Sequence, residues 1–233
     1  MSAAAPTVIR TKNFVADAAG FILEQARKAM VERNEFRIAL SGGNTPAPVY
    51  ARVAMDGHDF LWESVRFTFG DERCVPADDP QSNFRMAREN LFVPAAVPEK
   101  AIKRMRGEID PQIAAQEYED QLNAIATGRG EPIYQHDLIL LGLGDDGHTA
   151  SLFPGTAALE ETARRVLANF VPKLNAWRLT FTFPLINHAR HILFLVGASK
   201  SPQLIERVLA GDRQFPAARV NPSAGEVTWI MGE

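Results

Sequence analysis

The sequence predicts an α/β fold in which a mostly parallel sheet carries helices on both faces. Short apolar runs, rich in β-branched and aromatic residues, alternate along the chain with amphipathic segments of helical period. Near-continuous apolar runs of about five residues are typical of strands buried on both faces of a parallel sheet. Strand–helix alternation of this kind is typical of layered α/β domains. The predicted strands are Phe36–Leu40, Val65–Phe69, Leu138–Leu143, Leu179–Phe183, Ile192–Val196 and Val227–Met231.

The segments between the predicted strands have the apolar period of helices packed on a sheet. Several begin near a proline, whose missing N–H costs nothing in the first turn of a helix. A cluster of breakers at Thr127–Pro132 predicts a helix end and a loop, and it is too short for a domain linker. We therefore expect one domain over residues 1–233. The predicted helices are Phe14–Val31, Pro46–Met55, Asn83–Phe92, Pro111–Ile125 and Pro202–Leu209.

Composition and charge exclude some classes of function. The chain has 233 residues, of which 46% are hydrophobic and 23% charged, and these proportions are ordinary for a globular domain. A net charge of −3 argues against a protein that binds nucleic acid by neutralising phosphates. It leaves room for a small anionic substrate, because a few local cations suffice to bind one.

Targeting signals are weak or missing in the sequence. The single cysteine, Cys74, can form no intramolecular disulfide, which fits a reducing compartment. Met1–Thr7 has no basic segment followed by an apolar stretch, as a signal peptide would. The longest strongly apolar run, Leu138–Leu143, is far shorter than the roughly 18–20 residues of a membrane helix. We expect a cytoplasmic protein without a membrane partner.

The first candidate site is a glycine-containing loop between a predicted strand and a helix. Adjacent glycines let a backbone approach a ligand closely, and the free N–H groups at a helix start favour an anion. The loop lacks the third glycine of the dinucleotide fingerprint and the Gly-Lys-Ser/Thr of a Walker loop. It is a candidate phosphate site, and the alternative is a tight turn with a helix cap. Its residues are Ser41, Gly42, Gly43, Asn44 and Thr45.

The second candidate site, Gly70-Asp71-Glu72-Arg73, follows another predicted strand. Arg73 can hold a phosphate or a carboxylate with two parallel hydrogen bonds. Asn83 comes soon afterwards at the start of a predicted helix and is a second candidate ligand. The alternative is a solvated charged turn in which Arg73 pairs with Asp71 or Glu72.

The third candidate site follows the predicted strand that begins at Leu138. Here glycine-rich backbone carries Asp145, Asp146 and His148 within five residues of Gly144. Histidine titrates near neutrality and suits general acid–base catalysis. An aspartate two residues earlier can fix the tautomer of the imidazole, and flanking glycines permit a turn that presents N–H groups to an oxyanion. The alternative is a histidine that only caps a loop.

Other chemistry is weaker in the sequence. Lys200 follows a strand and adds a cation, or is a plain residue at a helix start. Neither Ser41 nor Ser151 lies in the Gly-x-Ser-x-Gly elbow of serine hydrolases. The pair His188 and His191 has the spacing of metal ligands, but no third ligand accompanies it, so we expect no metal site.

Together the loops resemble those of the 6-phosphogluconolactonases in order and spacing, from about residue 12 to about residue 210. The histidine motif with its Ser-Leu-Phe-Pro-Gly extension is the most specific of them. The glucosamine-6-phosphate deaminases are also similar, but their histidine motif tends to continue toward Asn-Glu-Pro-Gly, so their glutamate is absent here. The motifs are Ser-Gly-Gly-Asn-Thr-Pro (41–46), Gly-Asp-Glu-Arg (70–73) with Ser82-Asn83, Gly-Leu-Gly-Asp-Asp-Gly-His-Thr-Ala-Ser-Leu-Phe-Pro-Gly (142–155), Arg-Leu-Thr-Phe-Thr-Phe-Pro (178–184) and Gly-Ala-Ser-Lys (197–200).

The resemblance implies a Rossmann-like fold and hydrolysis of 6-phospho-D-glucono-1,5-lactone to 6-phospho-D-gluconate in the oxidative pentose phosphate pathway, without a metal or another cofactor. It implies that His148 activates a water molecule, that Asp146 orients His148, and that amides of the Gly144–Thr149 turn bind the oxyanion. The expected phosphate and substrate ligands are Ser41, Gly42, Gly43, Asn44, Thr45, Arg73, Asn83 and Lys200.

The resemblance leaves some questions open. A role for Arg178 in the site stays undecided. We expect the only partner to be a small sugar phosphate, with no nucleic acid, and we favour a monomer. The rival functions are a sugar-phosphate isomerase or deaminase and a sensor that binds without turnover, although no DNA-binding module accompanies the motifs.

Overall fold

The computed structural model describes residues 5–233, and a six-stranded parallel sheet lies at their centre. The strands of this sheet are β1 (Thr7–Thr11), β2 (Phe36–Leu40), β3 (Val65–Phe69), β5 (Leu138–Gly142), β8 (His191–Val196) and β9 (Glu226–Gly232). Their order in the sheet is β1-β9-β8-β5-β2-β3. A smaller antiparallel sheet contains β4 (Asp71–Arg73), β6 (Val166–Val171) and β7 (Ala176–Phe181), in the order β4-β7-β6.

Helices cover both faces of the parallel sheet, as the sequence predicts. Successive side chains of a strand point to opposite faces, and β5 obeys this rule. The helices are α1 (Phe14–Arg33), α2 (Pro46–Asp56), α3 (Asn83–Ala87), α4 (Pro111–Gly128), α5 (Phe183–Ile186) and α6 (Pro202–Leu209). On one face of β5, Ile139 and Leu141 pack in a buried cluster with α4 and α6. On the other face, Leu138 and Leu140 pack in a second cluster with α1 and α2.

The strand order reverses direction between β2 and β5. From β2 the chain continues outward to β3, and it then returns to place β5 on the other side of β2. In open α/β sheets, ligands bind outside the carboxyl ends of the strands at such a switch point. The loops after β2 and β5 are the ones that contain Ser41–Thr45 and His148.

The small sheet corrects one predicted strand. We expected Leu179–Phe183 in the parallel sheet, but it belongs to β7, which is antiparallel to β4 and β6. Phe183 begins the short helix α5. The other two strands of the small sheet, β4 and β6, were not predicted: β4 consists of three charged residues, and Asn169 interrupts the apolar run of β6.

The predicted helix positions are confirmed, with differences at their ends. The helix α6 has the predicted bounds, and α4 continues to Gly128, three residues beyond the predicted Ile125. The segment Asn83–Phe92 is α-helical only to Ala87 and then forms a π-helical turn, Arg88–Phe92. Within residues 5–233, no helix combines the length and the apolarity that crossing a membrane requires.

Candidate active site

A cavity of about 420 Å³ lies at the carboxyl edge of the parallel sheet. Residues from the loops after β2, β5 and β8 line it, and the small sheet closes another side with β4, β7 and the turn after β6. The structure brings nine of the ten predicted site residues to this cavity. They are Ser41, Gly42, Gly43, Asn44, Thr45, Arg73, Asp146, His148 and Lys200.

The loop after β2 offers hydrogen-bond donors to the cavity. Within residues 5–233, the amides of the four residues from Gly42 to Thr45 donate to no protein acceptor. The Ser41 hydroxyl is buried without a partner, and Thr45 makes no side-chain cap for α2. A turn with a helix cap, the alternative interpretation of this loop, therefore leaves its donors unexplained. Clustered free N–H groups at the start of a helix favour an anion.

Asn83 lies behind this loop instead of in the cavity. Its side chain is buried, and its Nδ2 donates to the backbone oxygen of Asp71 at 2.9 Å. A Cβ on Gly42 would come within 1.8 Å of the Asn83 Oδ1, so the glycine is what lets the two groups approach. Asn83 thus supports the Gly42 backbone from behind, and its role as a substrate ligand stays a prediction.

The Gly-Asp-Glu-Arg segment divides into three different roles. Asp71 lines the cavity and accepts a hydrogen bond from Ser151 Oγ at 2.6 Å. Glu72 is buried, which raises its pKa, and it accepts hydrogen bonds from the amides of Asn83 and Phe84 at the start of α3. Arg73 lines the cavity and donates to the Gln81 carbonyl oxygen at 2.5 Å. The predicted alternative, a pair between Arg73 and a neighbouring carboxylate, is not formed.

Arg178 faces Arg73 across the small sheet and also lines the cavity. Burial and the charge of Arg73 both lower the pKa of Arg178. Within residues 5–233, neither guanidinium forms a salt bridge with a carboxylate. Two unpaired cations side by side at a cavity favour a doubly charged anion such as a phosphate monoester. The sequence left open whether Arg178 contributes to the site, and the structure places this residue in the cavity lining.

His148 and Asp146 form a close pair on the loop after β5. The His148 Nδ1 lies 2.6 Å from the Asp146 Oδ1. Burial raises the pKa of Asp146, but hydrogen bonds from Lys173 and His148 outweigh it, and the pKa falls to about 2. Asp146 is therefore an anion at neutral pH, and Nδ1 must carry a proton to donate to it. The Nε2 of a neutral His148 then has a free lone pair and can accept a proton.

Two contacts fix the plane of the His148 ring. The ring stacks on Phe153 with centroids 3.9 Å apart and an interplanar angle of 21°. On the other side, a Cβ on Gly144 would lie 2.0 Å from the His148 Nδ1, so this position needs a glycine. The ring is held by a carboxylate, an aromatic face and a bare backbone, which is the kind of constraint a catalytic base needs.

The predicted oxyanion donors are only partly available. Gly144 N donates to the His148 carbonyl oxygen at 2.9 Å, and Gly147 N donates to the Gly144 carbonyl oxygen at 3.0 Å. His148 N points to the Asp146 Oδ1 at 3.3 Å. These three amides stabilise the turn itself, and the binding of an oxyanion by amides of the Gly144–Thr149 turn stays a prediction.

Lys200 and Asp145 form an exposed pair at the rim of the cavity. The Lys200 Nζ lies 2.6 Å from the Asp145 Oδ1, and this contact lowers the pKa of Asp145. Asp145 is 90% exposed, so the pair is weak and a competing anion can replace it at little cost. The predicted cation is thus within the cavity lining but engaged by a carboxylate.

The remaining histidines lie away from the cavity. His191 shares a hydrogen bond with Thr228 Oγ1 at 2.9 Å, and His136 is buried beside Thr68. Across residues 5–233, no three His, Cys, Asp or Glu side chains lie together as metal ligands do.

Sequence reasoning missed Lys173, which lies on the turn between β6 and β7. Its Nζ donates to the Asp146 Oδ2 at 2.8 Å. The two residues are 27 positions apart and lie in loops that adjoin different sheets, so no local spacing pointed to the contact. Phe153 lay inside the histidine motif, but its stacking on the ring could be found only from the structure.

The chain is similar to known proteins over most of its length. A family model described as glucosamine-6-phosphate isomerases/6-phosphogluconolactonase matches residues 10–229. A 6-phosphogluconolactonase of Synechocystis sp. is 44% identical over 210 residues, which cover 88% of this chain and 85% of that protein. A 6-phosphogluconolactonase of Nostoc sp. is 35% identical over 221 residues, which cover 93% of this chain and 90% of that one.

Solved structures give the same result for the fold. The crystal structure of a 6-phosphogluconolactonase from Thermotoga maritima superposes with a TM-score of 0.86 and 27% identity, and the match covers 98% of this chain and 100% of that chain. The 6-phosphogluconolactonase from Trypanosoma brucei gives a TM-score of 0.82 at 29% identity, over 97% of this chain and 96% of that chain.

Proposed function

Because the chain belongs to the family of glucosamine-6-phosphate isomerases and 6-phosphogluconolactonases, we propose that it hydrolyses 6-phospho-D-glucono-1,5-lactone to 6-phospho-D-gluconate, a step of the oxidative pentose phosphate pathway. The observation that carries the proposal is the His148–Asp146 pair in one cavity with unpaired N–H groups and unpaired arginines. The His148–Asp146 pair can activate water, and the N–H groups and arginines can hold a phosphate.

In the proposed binding mode, the substrate phosphate lies on the Ser41–Thr45 loop. Arg73 and Arg178 balance its charge, and Lys200 adds a third cation after leaving Asp145. This anchor is remote from the reacting carbon, so its binding energy can position the lactone carbonyl beside His148.

In the proposed reaction, the His148 Nε2 removes a proton from a water molecule. The water oxygen attacks C1 of the lactone, and the bond between C1 and the ring oxygen then breaks. The proton passes from His148 to the departing ring oxygen, which becomes a hydroxyl group, and the new carboxylic acid ionises. Asp146 supports the imidazole on the Nδ1 side throughout. A lactone is a reactive ester, so one base and a positioned water suffice.

The rival function is deamination or isomerisation of an amino sugar phosphate. In this chain, the histidine motif continues with Ser151, Leu152 and Phe153, and no glutamate among residues 5–233 lines the cavity. Ser151 donates to Asp71, and Leu152 is buried in the core. The glutamate of the deaminase motif is therefore missing from this site, and its absence favours the lactonase function over the deaminase function. Release of ammonia from glucosamine 6-phosphate would support the rival.

We further propose that the chain acts as one domain over residues 1–233, as a monomer in the cytoplasm, and that it binds neither nucleic acid nor a cofactor. The net charge of −3 supports the absence of a nucleic-acid partner.

The function is tested by an assay on freshly prepared 6-phosphogluconolactone, corrected for spontaneous hydrolysis. We expect saturable turnover by the purified chain, and none above background with His148→Asn at comparable protein concentration. General acid–base groups contribute about 10²–10⁴-fold, and asparagine occupies similar space without titrating. The variant should still bind 6-phosphogluconate, measured by calorimetry. An inactive wild type would refute the function, and an active His148→Asn would refute only the role of this base.

A further inference from the structure

We propose that Lys173 is a positioning residue for the His148–Asp146 pair, in which its ammonium group holds the second carboxylate oxygen of Asp146 and so keeps that carboxylate in place to support His148. This inference rests on the proposed function, because it assigns Lys173 to the same site. It concerns a residue of the small sheet that no motif of the sequence marks.

The contact itself is geometrically sound. Both carboxylate oxygens of Asp146 are used: Oδ1 by the His148 Nδ1 at 2.6 Å and Oδ2 by the Lys173 Nζ at 2.8 Å. A carboxylate held at both oxygens cannot rotate about its Cβ–Cγ bond without losing a charge-assisted hydrogen bond. Lys173 therefore fixes the plane of the group that fixes His148.

The turn that carries Lys173 is well placed to hold the side chain there. It is a short 3₁₀ turn, Pro172–Leu174, closed by the Asn175 N–H donating to the Pro172 carbonyl oxygen at 3.0 Å. The strand before it is tied to the loop after β5, because the Asn169 Nδ2 donates to the Ser151 carbonyl oxygen at 2.9 Å. This hydrogen bond links the strand that leads into the turn to the loop that carries His148.

Other charged groups face the cavity but do not contact the pair. Lys200 is bound to Asp145, Asp71 to Ser151, and Arg73 and Arg178 to backbone oxygens. Among residues 5–233, Lys173 is the single cation with a direct bond to Asp146 or His148. The charged side chains that line the cavity are Asp71, Arg73, Asp145, Asp146, His148, Lys173, Arg178 and Lys200.

The charge of Lys173 has a definite effect on the base. An ammonium group beside the pair opposes the gain of a positive charge there. Without Lys173, that gain of charge costs less. The acid limb of the pH–rate profile must then move to higher pH, because the base is lost sooner as the pH falls.

The test compares Lys173→Met, Lys173→Gln and Lys173→Arg in the lactonase assay between pH 5 and 8. For Met we expect the acid limb to rise by about half a pH unit and kcat to fall about threefold to tenfold, since the ammonium is largely exposed and solvent screens it. Arg should restore both values. Gln, which can donate to Asp146 without a charge, should restore kcat more than the acid limb. High salt should shrink the shift of the limb.

Alternative roles give different results. If Lys173 binds the phosphate, Met will raise KM and weaken 6-phosphogluconate binding while the acid limb stays in place, and the inference is wrong. A purely structural role would lower kcat at every pH, and Arg would not rescue it. Lys28→Met, on the exposed side of α1, is the matched control and should behave as wild type. An inactive wild type would instead refute the proposed function itself.

Discussion

Two arginines of the site, Arg73 and Arg178, have no carboxylate partner among residues 5–233. Arg73 and Arg178 are opposite each other on β4 and β7, where like charges normally destabilise a sheet. Within residues 5–233 no carboxylate offsets them with a salt bridge, although Asp71 and Glu72 are neighbours in sequence. A protein that keeps two cations unpaired at a cavity bears a cost in stability, and the binding of a dianion offsets that cost.

Replacing Arg73 by alanine should act through the phosphate. A charged hydrogen bond contributes about 1.5–3 kcal/mol, so we expect binding of 6-phosphogluconate to weaken about tenfold or more. Turnover of the unphosphorylated lactone, which cannot use the contact, should be poor and nearly equal in variant and wild type. Calorimetry and the paired assays measure the two effects.

Arg85→Ala is the control for this experiment. Arg85 lies nearby on α3, but it pairs with Glu89 at 2.8 Å and does not line the cavity, so its loss should leave binding unchanged. Equal losses on both lactones, or unfolding of Arg73→Ala, would mean that Arg73 holds its loop through Gln81 and does not anchor the phosphate.

At the scale of elements, the sequence predicts strands that are buried on both faces and misses those that are not. The run Leu138–Leu141 is apolar throughout and its strand was found, whereas β1 is exposed at Thr7–Arg10 and β4 contains Asp71, Glu72 and Arg73. In these cases pairing with a neighbouring strand decides the structure, and such pairing leaves little trace in local sequence.

The same limit applies to the site. Loops at strand ends could be predicted, because the carboxyl ends of parallel strands meet at one edge. The side of a loop on which a residue lies could not be predicted. Asn83 was predicted as a ligand and lies behind Gly42. Lys173 was not predicted and donates a hydrogen bond to Asp146. The positions of both residues depend on contacts between elements that are far apart in the chain.

The contact between Gly42 and Asn83 gives a test for the loop after β2. Gly42→Ala should move the loop or the Asn83 amide, because its Cβ would lie 1.8 Å from Oδ1 of a buried side chain bonded to Asp71. We expect KM to rise about tenfold with a smaller change in kcat, since the displaced amides are those that we propose bind the substrate phosphate. Steady-state kinetics measures both constants.

A second substitution identifies the cause of this effect. Asn83→Ala in the same chain removes the clash, so the double variant should lose less binding than the sum of the two single variants. Additive losses would show that the clash with Asn83 is not the reason. Gly20→Ala in α1, where nothing lies within 4 Å of the added Cβ, is the control and should leave KM unchanged.

For the whole molecule, the active cavity and the core are separate chemical environments. The cavity lies at the carboxyl edge of the sheet, whereas His136 precedes β5 at the opposite edge and is fully buried among Tyr134 and Phe181. The Thr68 hydroxyl donates to the Ile38 carbonyl oxygen, so the His136 Nε2 must donate to Thr68 Oγ1 at 2.9 Å. The His136 Nδ1 is then a buried lone pair without a donor.

This arrangement makes the folded chain sensitive to acid. Burial, together with the charges of Arg37 and His188, lowers the pKa of His136 from 6.5 to about 3. The folded state therefore binds this proton more weakly than the unfolded state does. The contribution of His136 to stability is fully present above about pH 6.5 and is lost progressively as the pH falls toward 3.

Urea unfolding at pH 7 and pH 5 tests this linkage. A single histidine with these pKa values reduces the free energy of unfolding by about 2 kcal/mol between the two pH values. The side chain of His136→Gln can still donate to Thr68 but does not titrate. Between pH 7 and pH 5 this variant should therefore lose less free energy of unfolding than wild type, by about this amount, even if it is less stable at pH 7.

His58→Gln is the control, because it changes an exposed side chain and should keep the wild-type dependence of stability on pH. If His136→Gln and wild type lose the same stability between pH 7 and 5, then the fold does not keep His136 neutral. The acid sensitivity must then come from other groups, such as the half-buried His188 and the buried His191, whose pKa values burial also lowers.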